Sequence, residues 1–139
     1  MGCIFCKIVK GEISCAKVYE DKSCIAFLDI GPATPQGGHT LVVPKKHFES
    51  IKEIPQEELN TVMAVVKKIS SAMLKEADGV NIVQNNGEDA GQAVPHFHVH
   101  VMPRHKDDGV TVAKWAQHPY AEGEIGKVQQ KITKLLNEP

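Results

Sequence analysis

Apolar and polar positions alternate in some stretches of this 139-residue chain and recur at helical spacing in others. Residues 17–19 and 24–28 are short apolar or β-prone segments split by Glu20-Asp21-Lys22-Ser23, which predicts a strand hairpin. Residues 29–38 hold two prolines and three glycines and read as a loop. Residues 39–43 form a compact strand ended by Pro44. From Pro55 the period changes. Leu59, Val62, Met63, Val66, Ile69 and Met73 recur at steps of three and four, which predicts a helix over residues 56–77 with one buried stripe. Gly79 is placed to end it. Residues 80–83 return to strand, and residues 84–92 are a polar, glycine-containing loop. Ile125, Val128, Ile132, Leu135 and Leu136 mark a second amphipathic helix at the C-terminus. The sum is an α+β domain over residues 1–139, an antiparallel sheet covered by helices mostly on one face.

Composition adds mainly exclusions. Hydrophobic residues make up 42% and charged residues 24%, enough apolar material for a core without staples. The net charge of −1 gives no basic excess of the kind that nucleic acid or an acidic membrane surface would require. Lys45-Lys46 and Lys67-Lys68 are small clusters of the solvated kind. No apolar run approaches the roughly 20 residues of a membrane helix. The N-terminus reaches Lys7 without a signal-peptide core, and Cys6 stands where a myristoylation pattern requires Ser or Thr. These features predict a cytoplasmic protein whose four cysteines (Cys3, Cys6, Cys15, Cys24) are reduced or metal-bound.

The segment Pro95-His96-Phe97-His98-Val99-His100-Val101-Met102 carries the chemistry. Its apolar residues alternate with three histidines, which predicts a strand with the histidines on one face, roughly 6.6 Å apart. Three readings compete. The row is a polar outer face. Or it is a metal triad, with an open catalytic site. Or it is a nucleophilic site in which the central imidazole attacks while its neighbours orient it or handle protons. Separately, Cys3-x-x-Cys6 is half of a zinc site, a redox pair, or an accident of sequence.

His96 to Met102 resembles the His-φ-His-φ-His-φ-φ signature of the histidine-triad (HIT) superfamily, with φ apolar. The segments 3–8, 26–30, 39–47 and 85–94 are similar to that family's other blocks, in the same order. The resemblance implies a HIT-like fold: a five-stranded antiparallel sheet with a long central helix and a C-terminal helix, the sheet extended across a two-fold homodimer. It implies a hydrolase or transferase acting at the α-phosphate of nucleoside 5′-monophosphate derivatives such as adenosine phosphoramidates, purines preferred. His98 would be the nucleophile that forms a nucleotidyl-histidine. His100 would stabilise charge on the phosphate, with His96 the flanking member and Gln92 contacting the phosphate or leaving-group bridge. Asn85 would reach the phosphate, and the Gly91-Gln92-Ala93 turn would add backbone donors. Asp29 would accept from the ribose hydroxyls, although a turn cap before Gly31-Pro32 explains a carboxylate there equally. Phe5, Ile8, Leu28 and Ile30 would wall the base slot.

By the same resemblance Cys3, Cys6, His47 and His96 would close a structural zinc site, and no organic cofactor is implied. Cys15 and Cys24 read as ordinary thiols, and His39, His105 and His118 carry no assignment. One position departs from the family pattern. Ala93 stands where many phosphoramidases of this kind have a serine that protonates the leaving amine. Pro95 and Met102-Pro103-Arg104 are similar instead to the dinucleoside-polyphosphate branch, in which Arg104 would touch an extended polyphosphate or simply lie at the surface. Two other classes stay open: a nucleotide-binding signalling protein with little turnover, and a metal-dependent hydrolase.

Overall fold

A computed structural model describes residues 2–112 and 115–139. Five strands form one antiparallel sheet in the order β1-β2-β3-β5-β4: β1 Lys17–Glu20, β2 Cys24–Leu28, β3 Thr40–Pro44, β4 Gly79–Val83 and β5 Val99–Arg104. Three helices accompany it: α1 Ile4–Val9, α2 Gln56–Met73 and α3 Glu124–Leu136. The β1–β2 turn is fastened by Asp21, whose Oδ1 accepts from the backbone N–H of Ser23 and Cys24.

β2 and β3 are buried along nearly their whole length. Alternate residues face opposite ways and meet two different covers. Cys24, Ala26 and Val42, with Phe97, Val99 and Val101, pack against Val62, Val65 and Val66 of α2. Ile25, Phe27, Leu41 and Val43 pack against Phe5 of α1. The second layer was not expected, because α1 is too short to show a helical period. It is this layer that positions the site.

The helix α2 follows the expected stripe with two corrections. Met63 is exposed, and Val65 is buried in its place. At about 100° per residue Met63 lies a quarter-turn or more from the line through Val62, Val66, Ile69 and Met73, whereas Val65 lies on its other flank. The helix also ends at Met73, not at residue 77, and Gly79 opens β4. The backbone N–H of Asp78 already donates to the Arg104 carbonyl, so the sheet claims the chain before a glycine cap can form. The third correction concerns the histidine segment. Its sheet pairing starts at Val99, not at Pro95. Upstream, the Phe97 N–H donates to the Phe48 carbonyl and the His96 N–H to the Val94 carbonyl.

The C-terminal helix forms as expected. Among the described residues its stripe covers nothing: Ile125, Val128, Ile132, Leu135 and Leu136 are all exposed and α3 buries no residue. No helix among the described residues is long and apolar enough to cross a membrane.

Candidate functional site

The register Leu41↔His100 between β3 and β5 sets the site. His100 and His98 share a face, their rings 5.0 Å apart. Phe5 of α1 stands edge-on to His98 at 5.1 Å and to His96 at 5.9 Å. His96 and His98 are almost fully buried, and His100 is half-buried.

Backbone groups fix the tautomers. A carbonyl only accepts, so each ring nitrogen facing one carries the proton. His98 Nδ1–H donates to the His96 carbonyl at 2.7 Å, which leaves Nε2 with its lone pair. His96 Nε2–H donates to the Pro44 carbonyl at 2.9 Å, which leaves Nδ1 bare. An N–H only donates. The Ala33 amide donates to His39 Nδ1 at 3.0 Å, so His39 carries its proton on Nε2 and gives it to His100 Nδ1 at 2.9 Å. His100 in turn presents Nε2–H outward. The surroundings disfavour the charged form of all four rings. Burial pushes His39, His96 and His98 below the ordinary imidazole value, and burial with the neighbouring His98 and His39 holds His100 down to about 4.

His39, unassigned from sequence, is thus part of the site. Asp29, His39 and His100 do converge, and His39 Nε2 lies 3.9 Å from Asp29 Oδ2. The trio is nonetheless a poor metal site, because the Ala33 amide already occupies His39 Nδ1 and leaves the proton on the nitrogen a metal would need. Asp29 Oδ1 accepts from the Gly31 amide at 2.8 Å, the turn cap foreseen as its alternative role, and Oδ2 takes no part in that turn.

The expected base-slot residues Phe5, Ile8, Leu28 and Ile30 line one cavity of about 260 Å³, with Asp29 at its edge. Ile30 is fully exposed and sits at its lip. Phe27, Leu41, Ile13 and Cys15 also line it, with Ile4, Ser14 and Val94, and were not foreseen. Gln92 ties its loop to the segment after β3: Oε1 accepts from Gly87 N–H, and Nε2 donates to the Glu49 and Val94 carbonyls. Asn85 lies against Gly91, whose left-handed φ of 94° would strain any side chain. Ala93 is exposed beside a groove of about 530 Å³ that also includes Cys3, His47 and Glu49. The Arg104 guanidinium is engaged within the fold. Nε and Nη2 are paired with Asp108, Nη1 with Asn81, and Nη2 also with the Val110 carbonyl.

The second cluster joins Cys3 and Cys6 to His47 and His96. His96 Nδ1 lies 3.4 Å from Cys3 Sγ, 3.6 Å from Cys6 Sγ and 3.1 Å from His47 Nδ1, and Cys6 Sγ is 3.4 Å from His47 Nδ1. Bond lengths of about 2.3 Å to sulfur and 2.0 Å to nitrogen place the ligands of a tetrahedral zinc roughly 3.3–3.8 Å apart. The donor set and its spacing fit a zinc ion, and the bare Nδ1 of His96 is the nitrogen that faces inward. Cys15 is half-buried, and Cys24 is fully buried with its thiol pushed up to about 11, chiefly by burial.

Residues 10–107 match the HIT domain family. This chain belongs to the histidine-triad family. It is similar to the adenosine 5′-monophosphoramidase hnt1 of Schizosaccharomyces pombe, 38% identical over 98% of this chain and 99% of that one. The crystal structure of a HIT family member from Bacillus subtilis superposes with a TM-score of 0.88 at 42% identity, covering all of both chains. A Zn-bound histidine triad family protein from Mycobacterium smegmatis superposes at 0.75 with 35% identity, over 99% of this chain and 96% of that one. The five-stranded antiparallel HIT fold expected from the sequence is the one observed.

Proposed function

We propose that this chain is a HIT-type nucleotide hydrolase, a phosphoramidase that cleaves at the α-phosphate of nucleoside 5′-monophosphate derivatives through His98. The observation that carries this is the tautomer pattern: a bare Nε2 on His98, fixed by the His96 carbonyl, beside an outward N–H on His100. The named activity of the fission yeast relative supports the substrate class.

His98 Nε2 attacks the α-phosphorus as the bond to the leaving group breaks, which gives a nucleotidyl-imidazole. The ring becomes cationic, and its Nδ1–H bond to the His96 carbonyl strengthens as it does so. His100 Nε2–H donates to a non-bridging phosphate oxygen where charge develops. The leaving amine takes its proton from water, because Ala93 offers no hydroxyl. Water then attacks phosphorus, releases the nucleoside 5′-monophosphate and restores neutral His98. The apolar cavity takes the base, purines filling it best, and Asp29 Oδ2 receives the ribose hydroxyls. Amides of the 91–93 turn and Asn85 face the phosphate, with Gln92 holding that loop in shape. Cys3, Cys6, His47 and His96 would hold a zinc ion, which would supply a structural cross-link between the N-terminal arm and the histidine segment. A second copy of the chain would pair along the free β4 edge and cover α3, forming a homodimer, and the reduced cysteines suit the cytosol.

Mass spectrometry of the intact protein, quenched without acid after mixing with adenosine 5′-phosphoramidate, tests the nucleophile. An AMP-sized adduct on the native chain and none on His98→Ala is expected. Turnover that survives in His98→Ala refutes the assignment. The dinucleoside-polyphosphate reading predicts faster turnover of such a substrate in the same assay, and the full engagement of Arg104 weighs against it.

A further inference from the structure

The zinc cluster and the nucleotide site share two parts. His96 faces the cysteines with its ring and holds His98 with its carbonyl. Phe5, between the two cysteines in sequence, packs on Phe27, His96 and His98 at 5.6, 5.9 and 5.1 Å. The α1 residues Ile4, Phe5 and Ile8 wall the base cavity. A six-residue helix does not persist without tertiary anchors, so what holds Cys3 and Cys6 also holds that wall.

The cluster is also reachable. Cys3 and Cys6 are half-buried, His47 is exposed, and Cys3 and His47 line the groove of about 530 Å³. The ligand atoms, the two sulfurs included, all lie within 4.8 Å of one another. A disulfide needs the sulfurs about 2.05 Å apart, so closure requires Cys3, at the start of the N-terminal arm, to move toward Cys6.

We propose that Cys3 and Cys6 are a peroxide-oxidisable pair whose closure to a disulfide ejects the zinc and disables the nucleotide site; this rests on the metal centre proposed above. The Cys3 thiolate attacks one oxygen of hydrogen peroxide, the O–O bond breaks, and hydroxide leaves a sulfenic acid behind. The Cys6 thiolate attacks that sulfur, the S–S bond forms, and a second hydroxide departs. Two electrons pass from sulfur to peroxide. Two protons from solvent convert the hydroxides to water, and Zn²⁺, left with two imidazoles, enters solution. A dithiol returns both thiols by exchange.

The test uses the full chain, reduced and loaded with zinc, then treated with graded hydrogen peroxide. A chromogenic chelator reads zinc, peptide mass mapping locates any disulfide, and titration with AMP reads the nucleotide site. Loss of one zinc per chain in step with a Cys3–Cys6 disulfide is expected, with AMP affinity falling roughly tenfold or more. A dithiol plus zinc should restore both. A reduced chain that takes up no zinc refutes the metal centre and this proposal with it. Zinc retained while Cys15 oxidises refutes the proposal alone, as does zinc loss that leaves AMP affinity unchanged.

Discussion

His39→Phe isolates the hydrogen bond that sets the tautomer of His100. The ring stays aromatic, but the 2.9 Å contact from Nε2 to His100 Nδ1 and the acceptor for the Ala33 amide disappear. His39 is 6% exposed, so water cannot easily replace either bond. An orphaned buried acceptor costs about 1–3 kcal/mol. With His100 half-buried, about 2 kcal/mol of tautomer bias is lost, which shifts the ratio of its two neutral tautomers roughly 30-fold and takes the Nε2–H form from nearly all to about half of the population. The expected result is a kcat about twofold lower on adenosine phosphoramidate, with KM little changed because the apolar cavity and Asp29 are untouched. His39→Gln should recover much of the loss, since its amide can donate to His100 while its oxygen accepts from Ala33. Steady-state kinetics on the three proteins, with circular dichroism to confirm folding, decide the matter. A folded His39→Phe with an unchanged kcat, or a loss confined to KM, would sink the tautomer relay.

Three further outcomes follow from the same geometry. Ala93→Ser, on an exposed position of the groove, should raise turnover of amine-leaving substrates severalfold while stability stays within about 0.5 kcal/mol; an equal rise with an anhydride substrate would remove the proton-donor explanation. His100, held near 4 chiefly by burial, stays neutral in the fold while the unfolded chain takes up a proton near 6.5, so its contribution to stability is whole above that pH and declines as pH falls toward 4. Between about pH 6.5 and 5 the decline from this group is at most about 1.5 kcal/mol, and denaturant midpoints of His100→Gln should show a visibly flatter slope. Asp108→Asn breaks the paired contact with Arg104 at the far end of β5 and should lower the thermal midpoint with kcat/KM unchanged; a loss of activity in the folded variant would restore a substrate role to Arg104.

The parts legible in the sequence were those with a strong period or a chemical motif. The stripe of α2, the strand segments and the histidine alternation are of that kind, and the CxxC was visible as half a site. His39 was invisible for a definite reason. It is a lone histidine at the start of a strand, and only the register Leu41↔His100 reveals that it falls on the same face as His100. Register is a long-range property, and a one-residue slip would have turned His39 to the other face. The helix α1 escaped notice because Cys3 makes no side-chain cap and six residues complete less than two turns. The exposed stripe of α3 was legible as amphipathic, but periodicity alone does not reveal what an apolar face will cover.

The misplaced start of β5 bears directly on the chemistry. Alternation predicts a strand from Pro95, and a strand there would commit the His96 carbonyl to a neighbour in the ladder. Instead Pro95 lacks an N–H, the Phe97 amide is drawn to the Phe48 carbonyl, and sheet pairing begins only at Val99. The His96 carbonyl is thereby available to His98 Nδ1 two residues on. The same two-residue period still turns His98 and His100 to one side, so their rings meet at 5.0 Å. Ladder pairing at residues 96 and 97 would give a longer sheet and a His98 imidazole with no fixed tautomer. Irregular backbone at this one place is what leaves the His98 imidazole with one fixed tautomer, the condition the proposed nucleophile requires.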